Sequence, residues 1–256
     1  MAEEKMTLTK NTEESVIISN KNLGGLCVLC VRTSSFPKPG QFFMLKPKYS
    51  SVFLPRPISY ASYKNETLTF LIEIKGRGTE EIAALQKGDS IEITGPLGNS
   101  WLDFIPSREA KEKDTYKFAL VAGGLGLAPL CGFAALRESS FFCGFSHAIP
   151  AEITSFLPQN TVFVTEDGSI GKKGFVTDYI NPADYDAVFS CGPKPMLKKI
   201  TEMCSKTNTP CFISMENRMA CGVGACLGCT IKTLSGNKHC CKDGPVFNAK
   251  DIIFDE

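Results

Sequence analysis

Histidine is nearly absent. His147 and His239 are the only two in 256 residues, and neither has a partner at metal-ligand spacing, so both read as loop or surface residues. Net charge is as slight: 28 basic against 27 acidic side chains leave +1. With no long basic run, the chain lacks the electrostatic footprint of a nucleic-acid-binding protein. There is no nucleophile elbow, no P-loop and no internal repeat, which removes common signatures of hydrolases, nucleoside triphosphatases and solenoids. Met1-Ala-Glu-Glu-Lys carries no apolar leader, so a cytoplasmic location is expected. Long apolar runs are scarce as well, with one exception. Phe118 to Leu136 spans nineteen residues without a charge, long enough to cross a membrane. Gly123, Gly124, Gly126 and Pro129 interrupt it, so it reads as a buried strand, a glycine turn and a helix, and no membrane association is expected.

Cysteine, by contrast, is abundant, with twelve residues. In a small secreted chain this would suggest a disulfide framework. The length and the absent leader favour a reducing compartment, with four cysteines on metal and others, such as Cys27, Cys30, Cys131 and Cys143, packed as small apolar side chains. The stretch Cys221-Gly-Val-Gly-Ala-Cys226-Leu-Gly-Cys229, followed by Cys240-Cys241, has the C-x4-C-x2-C spacing of a plant-type [2Fe–2S] centre, which needs four thiolates from a wrapping loop. Gly222, Gly224 and Gly228 let that backbone turn tightly and bring N–H groups near the sulfurs. A zinc site, usually built from paired C-x2-C knuckles, and ordinary buried cysteines are the competing readings. Only eleven residues separate Cys229 from Cys241, a compact variant in which Cys240 rivals Cys241 as fourth ligand.

Length and a hydrophobic content of 43% allow two domains and a small appendage, expected at 1–103, 115–213 and 214–256. From Ser15 to Ile93, short β-rich runs between glycine and proline turns predict an antiparallel barrel or sandwich. A short helix is expected over Thr79 to Leu85, after Lys75-Gly-Arg-Gly-Thr79, with its free N–H groups placed for a pyrophosphate. Arg56-Pro57-Ile58-Ser59, read as the end of an earlier strand, adds a guanidinium able to hold phosphate bidentately; alone, it reads equally as surface. Residues 99–114 read as a charged connector. Beyond it, Phe118 to Ala122 predicts a strand, Gly123 to Pro129 a turn, and the following residues a helix to about Glu138. Strands over Thr161–Val164, Ala187–Ser190 and Cys211–Ser214 and helices over Phe175–Ile180 and Pro195–Lys206 then imply a parallel nucleotide-binding sheet. Cys191-Gly-Pro-Lys-Pro-Met196 sits at a strand-to-helix turn where it could cover a nicotinamide, although Cys191 reads equally as a small packed residue. Glu166 and Asp167 follow another strand and would accept hydrogen bonds from ribose hydroxyls while repelling a 2′-phosphate, favouring NAD over NADP; a solvated turn is the alternative.

The order of R-P-x-S, G-x-G-T, G-x-G-x-x-P and C-G-P-x-P-M resembles the ferredoxin-NADP reductase superfamily over nearly the whole chain. With the tail from Met215 through Cys229 and the closing Cys241-Lys-Asp-Gly-Pro-Val-Phe247, it resembles the electron transfer subunits of dihydroorotate dehydrogenase B. The resemblance implies an α+β multidomain fold: an antiparallel β-barrel for FAD, a parallel-sheet α/β domain for nicotinamide and a small C-terminal [2Fe–2S] domain. It implies that Arg56, Pro57, Ile58, Ser59, Leu71, Ile72, Glu73, Gly78 and Thr79 hold FAD. Gly124, Gly126, Pro129, Cys191, Gly192 and Pro193 would serve NAD, and Cys221, Cys226, Cys229 and Cys241 the cluster. The implied partner is an FMN-containing catalytic subunit that oxidises dihydroorotate in pyrimidine biosynthesis, in a heterotetramer of two of each. FAD, which handles both hydrides and single electrons, belongs between NAD and the cluster. The rival readings are a diaphorase subunit of an NAD(P)H:ferredoxin or sulfur-reducing oxidoreductase, and a non-catalytic redox sensor.

Overall fold

The computed structural model describes residues 12–105 and 116–254. Strands β1 (Thr12–Asn22), β2 (Leu26–Arg32), β3 (Phe42–Pro47), β4 (Arg56–Lys64), β5 (Thr67–Glu73) and β6 (Ser90–Leu97) close into an antiparallel barrel. Its order is β1-β2-β5-β4-β3-β6. Alternation explains it: Cys27, Leu29 and Val31 of β2 point into the core while their neighbours stay half-buried. Phe43 anchors that core, edge-on to Tyr60 at 6.5 Å and Phe70 at 5.8 Å between centroids. Helix α1 (Arg77–Ala84) adds Ile82 to the same core.

Arg56 to Ser59 begin a strand rather than end one. They pair with β3 alone, because β4 meets β5 only from Tyr60 onward. One edge of β4 is therefore open at Pro57, which is where a strand tolerates a residue without an N–H. Leu71 to Glu73 pair with β2 and have no β4 partner, so the start of β4 and the end of β5 splay apart.

The second sheet contains β7 (Phe118–Gly123), β8 (Ser139–Phe145), β9 (Val162–Thr165), β10 (Lys172–Lys173), β11 (Ala187–Cys191) and β12 (Cys211–Ser214). Its helices are α2 (Ala128–Ala134), α3 (Ala151–Thr154) and α4 (Lys194–Lys206). These strands run parallel in the order β10-β9-β8-β7-β11-β12, as expected of alternating strands and helices. The C-terminal segment adds a hairpin, β13 (Thr230–Thr233) and β14 (Gly236–His239), and returns β15 (Val246–Asn248) antiparallel to β12. Strand β8 has no counterpart in the sequence reading, whose helix to about Glu138 leaves no connector before it. The helix ends at Ala134, so four residues suffice for the crossing. The helix expected over Phe175–Ile180 is a single 3₁₀ turn, Val176–Tyr179.

The stretch read as a connector also packs, as far as it can be followed. Trp101 is fully buried in a 3₁₀ turn (Trp101–Phe104) and meets Phe189 of β11 edge-on at 5.8 Å. Its indole N–H donates to the Pro129 carbonyl at 2.7 Å, joining the barrel's exit to the second sheet. The rest of that stretch, 106–114, lies outside the described residues. Among the described residues no helix is long and apolar enough to cross a membrane; Phe118 to Leu136 instead supplies β7, a glycine turn and α2.

Candidate redox site

The gap between β4 and β5 opens a cleft of about 750 Å³ that brings together Arg56, Pro57, Ile58, Ser59, Leu71, Ile72 and Glu73. Arg56 is fixed by a bond from Nη1 to the Leu54 carbonyl at 2.8 Å. Its guanidinium lies flat on Gly78: a Cβ there would stand 2.3 Å from Nε and 2.5 Å from Cζ. The two sequence motifs thus meet at one point, and the glycine is what lets them. Thr79 behaves differently. Its hydroxyl donates to the Gly76 carbonyl at 2.8 Å and accepts from the N–H groups of Lys75 and Gly76, so it shapes the start of α1.

A second pocket, about 900 Å³, abuts the cleft and shares Glu73 and Leu125 with it. It lies at the carboxyl ends of β7 and β11, where open α/β sheets bind their ligands. Gly124, at φ +55, and Pro193 line this pocket, whereas Pro129 lines the cleft. Gly126 lets two turns touch backbone to backbone, since a Cβ there would come 2.3 Å from the Cys191 carbonyl oxygen. Gly192, at φ +154, would place a Cβ 2.8 Å from the Gly123 nitrogen. Cys191 is wholly buried, and burial drives its thiol well above the usual range, so it stays protonated. Of the two carboxylates after β9, Glu166 lines the pocket. Asp167 turns back to accept from the Ser169 hydroxyl at 2.6 Å and amide at 2.9 Å, bonds that lower its pKa.

The cysteine loop packs on the barrel: a Cβ at Gly222, φ +70, would stand 2.8 Å from Met44 Cγ and 3.1 Å from Leu97 Cδ1. Among the described residues, no three His, Cys, Asp or Glu side chains converge on a single ion. The cysteines are linked two and two, once through sulfurs and once through a backbone N–H. Cys229 Sγ lies 3.3 Å from Cys241 Sγ, and Cys226 donates its N–H to Cys221 Sγ at 3.4 Å. Four cysteines gathered at one place are the donor number that a [2Fe–2S] cluster requires. Gly224 N–H donates to Cys241 Sγ at 3.0 Å, Val223 N–H to Cys221 Sγ and Cys241 N–H to Cys229 Sγ, each at 3.4 Å. Such donors suit bound thiolates. Burial works to raise the Cys221 pKa, but the N–H groups of Val223 and Cys226, the Cys226 thiol and the Ala225 N–H outweigh it and bring it to about 6. Cys240 is fully buried in the apolar core, and burial pushes its thiol up to about 12, as it does that of Cys241.

A family model for the iron-sulfur cluster binding domain of dihydroorotate dehydrogenase B matches residues 216–253, a window that contains all these cysteines. The dihydroorotate dehydrogenase B (NAD+) electron transfer subunit of Clostridium acetobutylicum is 38% identical over 96% of this chain and 99% of its own length. The chain belongs to this family. The Clostridium perfringens member is 41% identical over 90% of this chain and 93% of its own. Among solved structures, an NADH-dependent reduced ferredoxin-NADP oxidoreductase superposes with a TM-score of 0.77 at 23% identity, covering 95% of this chain and 91% of that one. The ferredoxin reductase of carbazole 1,9a-dioxygenase gives 0.64 at 19%, over 80% and 68%. The expected architecture of barrel, parallel sheet and iron-sulfur segment is the one found.

Within this dihydroorotate dehydrogenase B fold, one cleft residue escaped the sequence reading. Glu216 lines the cleft just past the end of β12, and its Oε1 lies 3.8 Å from Cys191 Sγ. Burial raises its pKa, while the bond from Cys191 and the charge of Lys75 oppose the shift. The signal for it was present, since a carboxylate that directly follows a parallel strand stands at the ligand-binding edge.

Proposed function

We propose that the chain is the electron transfer subunit of an NAD-dependent dihydroorotate dehydrogenase, passing electrons from a partner's FMN through a [2Fe–2S] cluster and FAD to NAD+. The observation that carries this is adjacency. The cleft and the nicotinamide-side pocket share Glu73 and Leu125, while the cysteine loop packs on Met44 and Leu97 of the same barrel that walls the cleft. When bound, FAD supplies the conversion between a nicotinamide hydride and the single electrons a cluster carries.

The residues then divide the work. Arg56, seated on Gly78, offers its fork to the FAD pyrophosphate beside the first turn of α1. Pro57, Ile58, Ser59, Leu71, Ile72 and Glu73 line the open strand edges against which the isoalloxazine would lie. Thr79 supports this arrangement by shaping the turn at Gly76. Gly124 and Pro193 admit the nicotinamide nucleotide, with Gly126, Cys191 and Gly192 holding the two turns together and Pro129 facing the flavin side. Glu166 accepts from ribose and disfavours a 2′-phosphate, giving NAD preference. Cys221, Cys226, Cys229 and Cys241 would hold the cluster. Units at 1–103, 115–213 and 214–256 correspond to these three tasks.

The partner is an FMN-containing dihydroorotate dehydrogenase catalytic subunit in a cytoplasmic heterotetramer, two of each; neither nucleic acid nor membrane enters this reading. A diaphorase subunit of an NAD(P)H:ferredoxin oxidoreductase would share the fold, but full-length identity at 38% and 41% favours the dihydroorotate family. The test is anaerobic addition of NADH to the purified chain. The yellow flavin should bleach and NADH-dependent dye reduction should follow; a chain that purifies without flavin, or whose flavin stays oxidised, counts against the proposal.

A further inference from the structure

Asn99 lies outside the cleft lining and outside the cysteine loop, yet four hydrogen bonds tie it to one four-residue segment. Its N–H donates to the Gly244 carbonyl at 2.7 Å. Its Nδ2 donates to the carbonyls of Val246 at 2.8 Å and Asp243 at 3.3 Å, and its Oδ1 accepts from Val246 N–H at 2.9 Å. The side-chain amide thus meets both polar groups of Val246 as a neighbouring strand would. Only an uncharged group with donor and acceptor side by side can do so; aspartate has no donor and serine cannot span both.

The segment it grips begins two residues after Cys241. Its other face is held by the second sheet, where Met215 N–H donates to the Pro245 carbonyl at 2.9 Å and Ser214 pairs with Val246. Pro245 and Met215 both line the cleft. Gly98 completes the seat: at φ +77, a Cβ there would stand 2.4 Å from Pro245 Cδ and 2.8 Å from the Gly244 carbonyl oxygen. One short span therefore follows a cluster thiolate and walls the flavin cleft, and Asn99 pins it to the barrel.

Building on the functional reading above, we propose that Asn99 is a positioning residue for electron transfer, setting the cluster's place relative to the flavin. Its loss should slow passage of electrons between the two while leaving hydride exchange at the flavin intact, because the nicotinamide pocket lies on the other side of Glu73 and Leu125.

The test uses the full chain loaded with FAD and cluster, mixed anaerobically with NADH and followed at flavin and cluster wavelengths. In Asn99→Ala, cluster reduction should slow at least about fivefold while flavin reduction changes by less than about twofold, since a displacement of about 1–2 Å, of the size a remote substitution can cause, weakens electron passage by that much. Gly98→Ala, which displaces the span while keeping the Asn99 side chain, should show the same split if Asn99→Ala does not fold. A readout independent of activity is hydrogen exchange in the cofactor-free chain, where the Val246 amide should lose protection in Asn99→Ala. Equal slowing of both phases, no slowing in either variant, or joint loss of flavin and cluster would overturn the assignment. A wild-type chain that loads neither group would overturn the functional reading itself, a result separable from an unaffected Asn99 variant.

Discussion

Gly78→Ala tests the flavin site without touching a residue that would itself contact the flavin through a side chain. The added Cβ would stand 2.3 to 2.5 Å from the Arg56 guanidinium, a distance no packed pair tolerates. The obstructed group is the end of a flexible side chain, so the fold survives and Arg56 swings away. Gly78 lies within α1, where alanine adds up to about 1 kcal/mol of helix propensity, so the cofactor-free chain should be as stable as wild type or slightly more so. FAD binding should weaken. A charge-assisted hydrogen bond is worth about 1.5–3 kcal/mol. At about 1.4 kcal/mol per tenfold, the dissociation constant should rise about 10- to 150-fold. Flavin fluorescence titration of the cofactor-free protein measures it, with urea denaturation as the stability control. Arg56→Ala should give a similar loss, and adding Gly78→Ala to it should cost little more, because the two act through one guanidinium. Wild-type affinity in Gly78→Ala, or full additivity in the double variant, would refute the reasoning.

Cys241→Ser should lose or strongly alter the cluster's visible absorption and its paramagnetic signal when reduced, whereas Cys240→Ser keeps both; a bleached cluster in Cys240→Ser would show that the wrong sulfur was chosen. NADH should surpass NADPH in kcat/KM, and Glu166→Gln should narrow the gap about fivefold, near the 1 kcal/mol expected for like charges a few ångströms apart in a wet site; an unchanged ratio would remove Glu166 from the selectivity. Trp101→Phe keeps an aromatic ring in place but leaves a gap and orphans the Pro129 carbonyl, so stability should fall by at least about 1–3 kcal/mol. Circular dichroism in urea is the suitable probe because Trp101 is the only tryptophan, and an unshifted midpoint would show that the indole bond joins nothing of consequence.

What could be read in the sequence was whatever is local in the chain. The barrel strands show as short β-rich runs between glycine and proline turns, and the cysteine spacing marks the loop that packs on Met44 and Leu97. Arg56 and Gly78 were both singled out, but that one rests on the other depends on the splay between β4 and β5, a property of sheet pairing that no stretch of sequence displays. Strand β8 was missed because Ser139-Ser-Phe-Phe-Cys-Gly-Phe follows a helix whose end was placed too late. Asn99 and Trp101 looked like connector because their partners lie far along the chain, at Asp243 to Val246 and at Pro129. Glu166 and Asp167 looked equivalent until the Asp167 turn closed on Ser169.

The central claim is that this chain carries electrons between dihydroorotate oxidation and NAD+. The most direct measurement combines the loaded chain with its FMN-containing catalytic subunit, supplies dihydroorotate and NAD+ under anaerobic conditions, and follows NADH formation. NADH should accumulate only when both subunits are present, with an equal amount of orotate. If the two subunits form a complex and oxidise dihydroorotate with an artificial acceptor, yet no NADH appears while this chain still oxidises NADH alone, the account is contradicted.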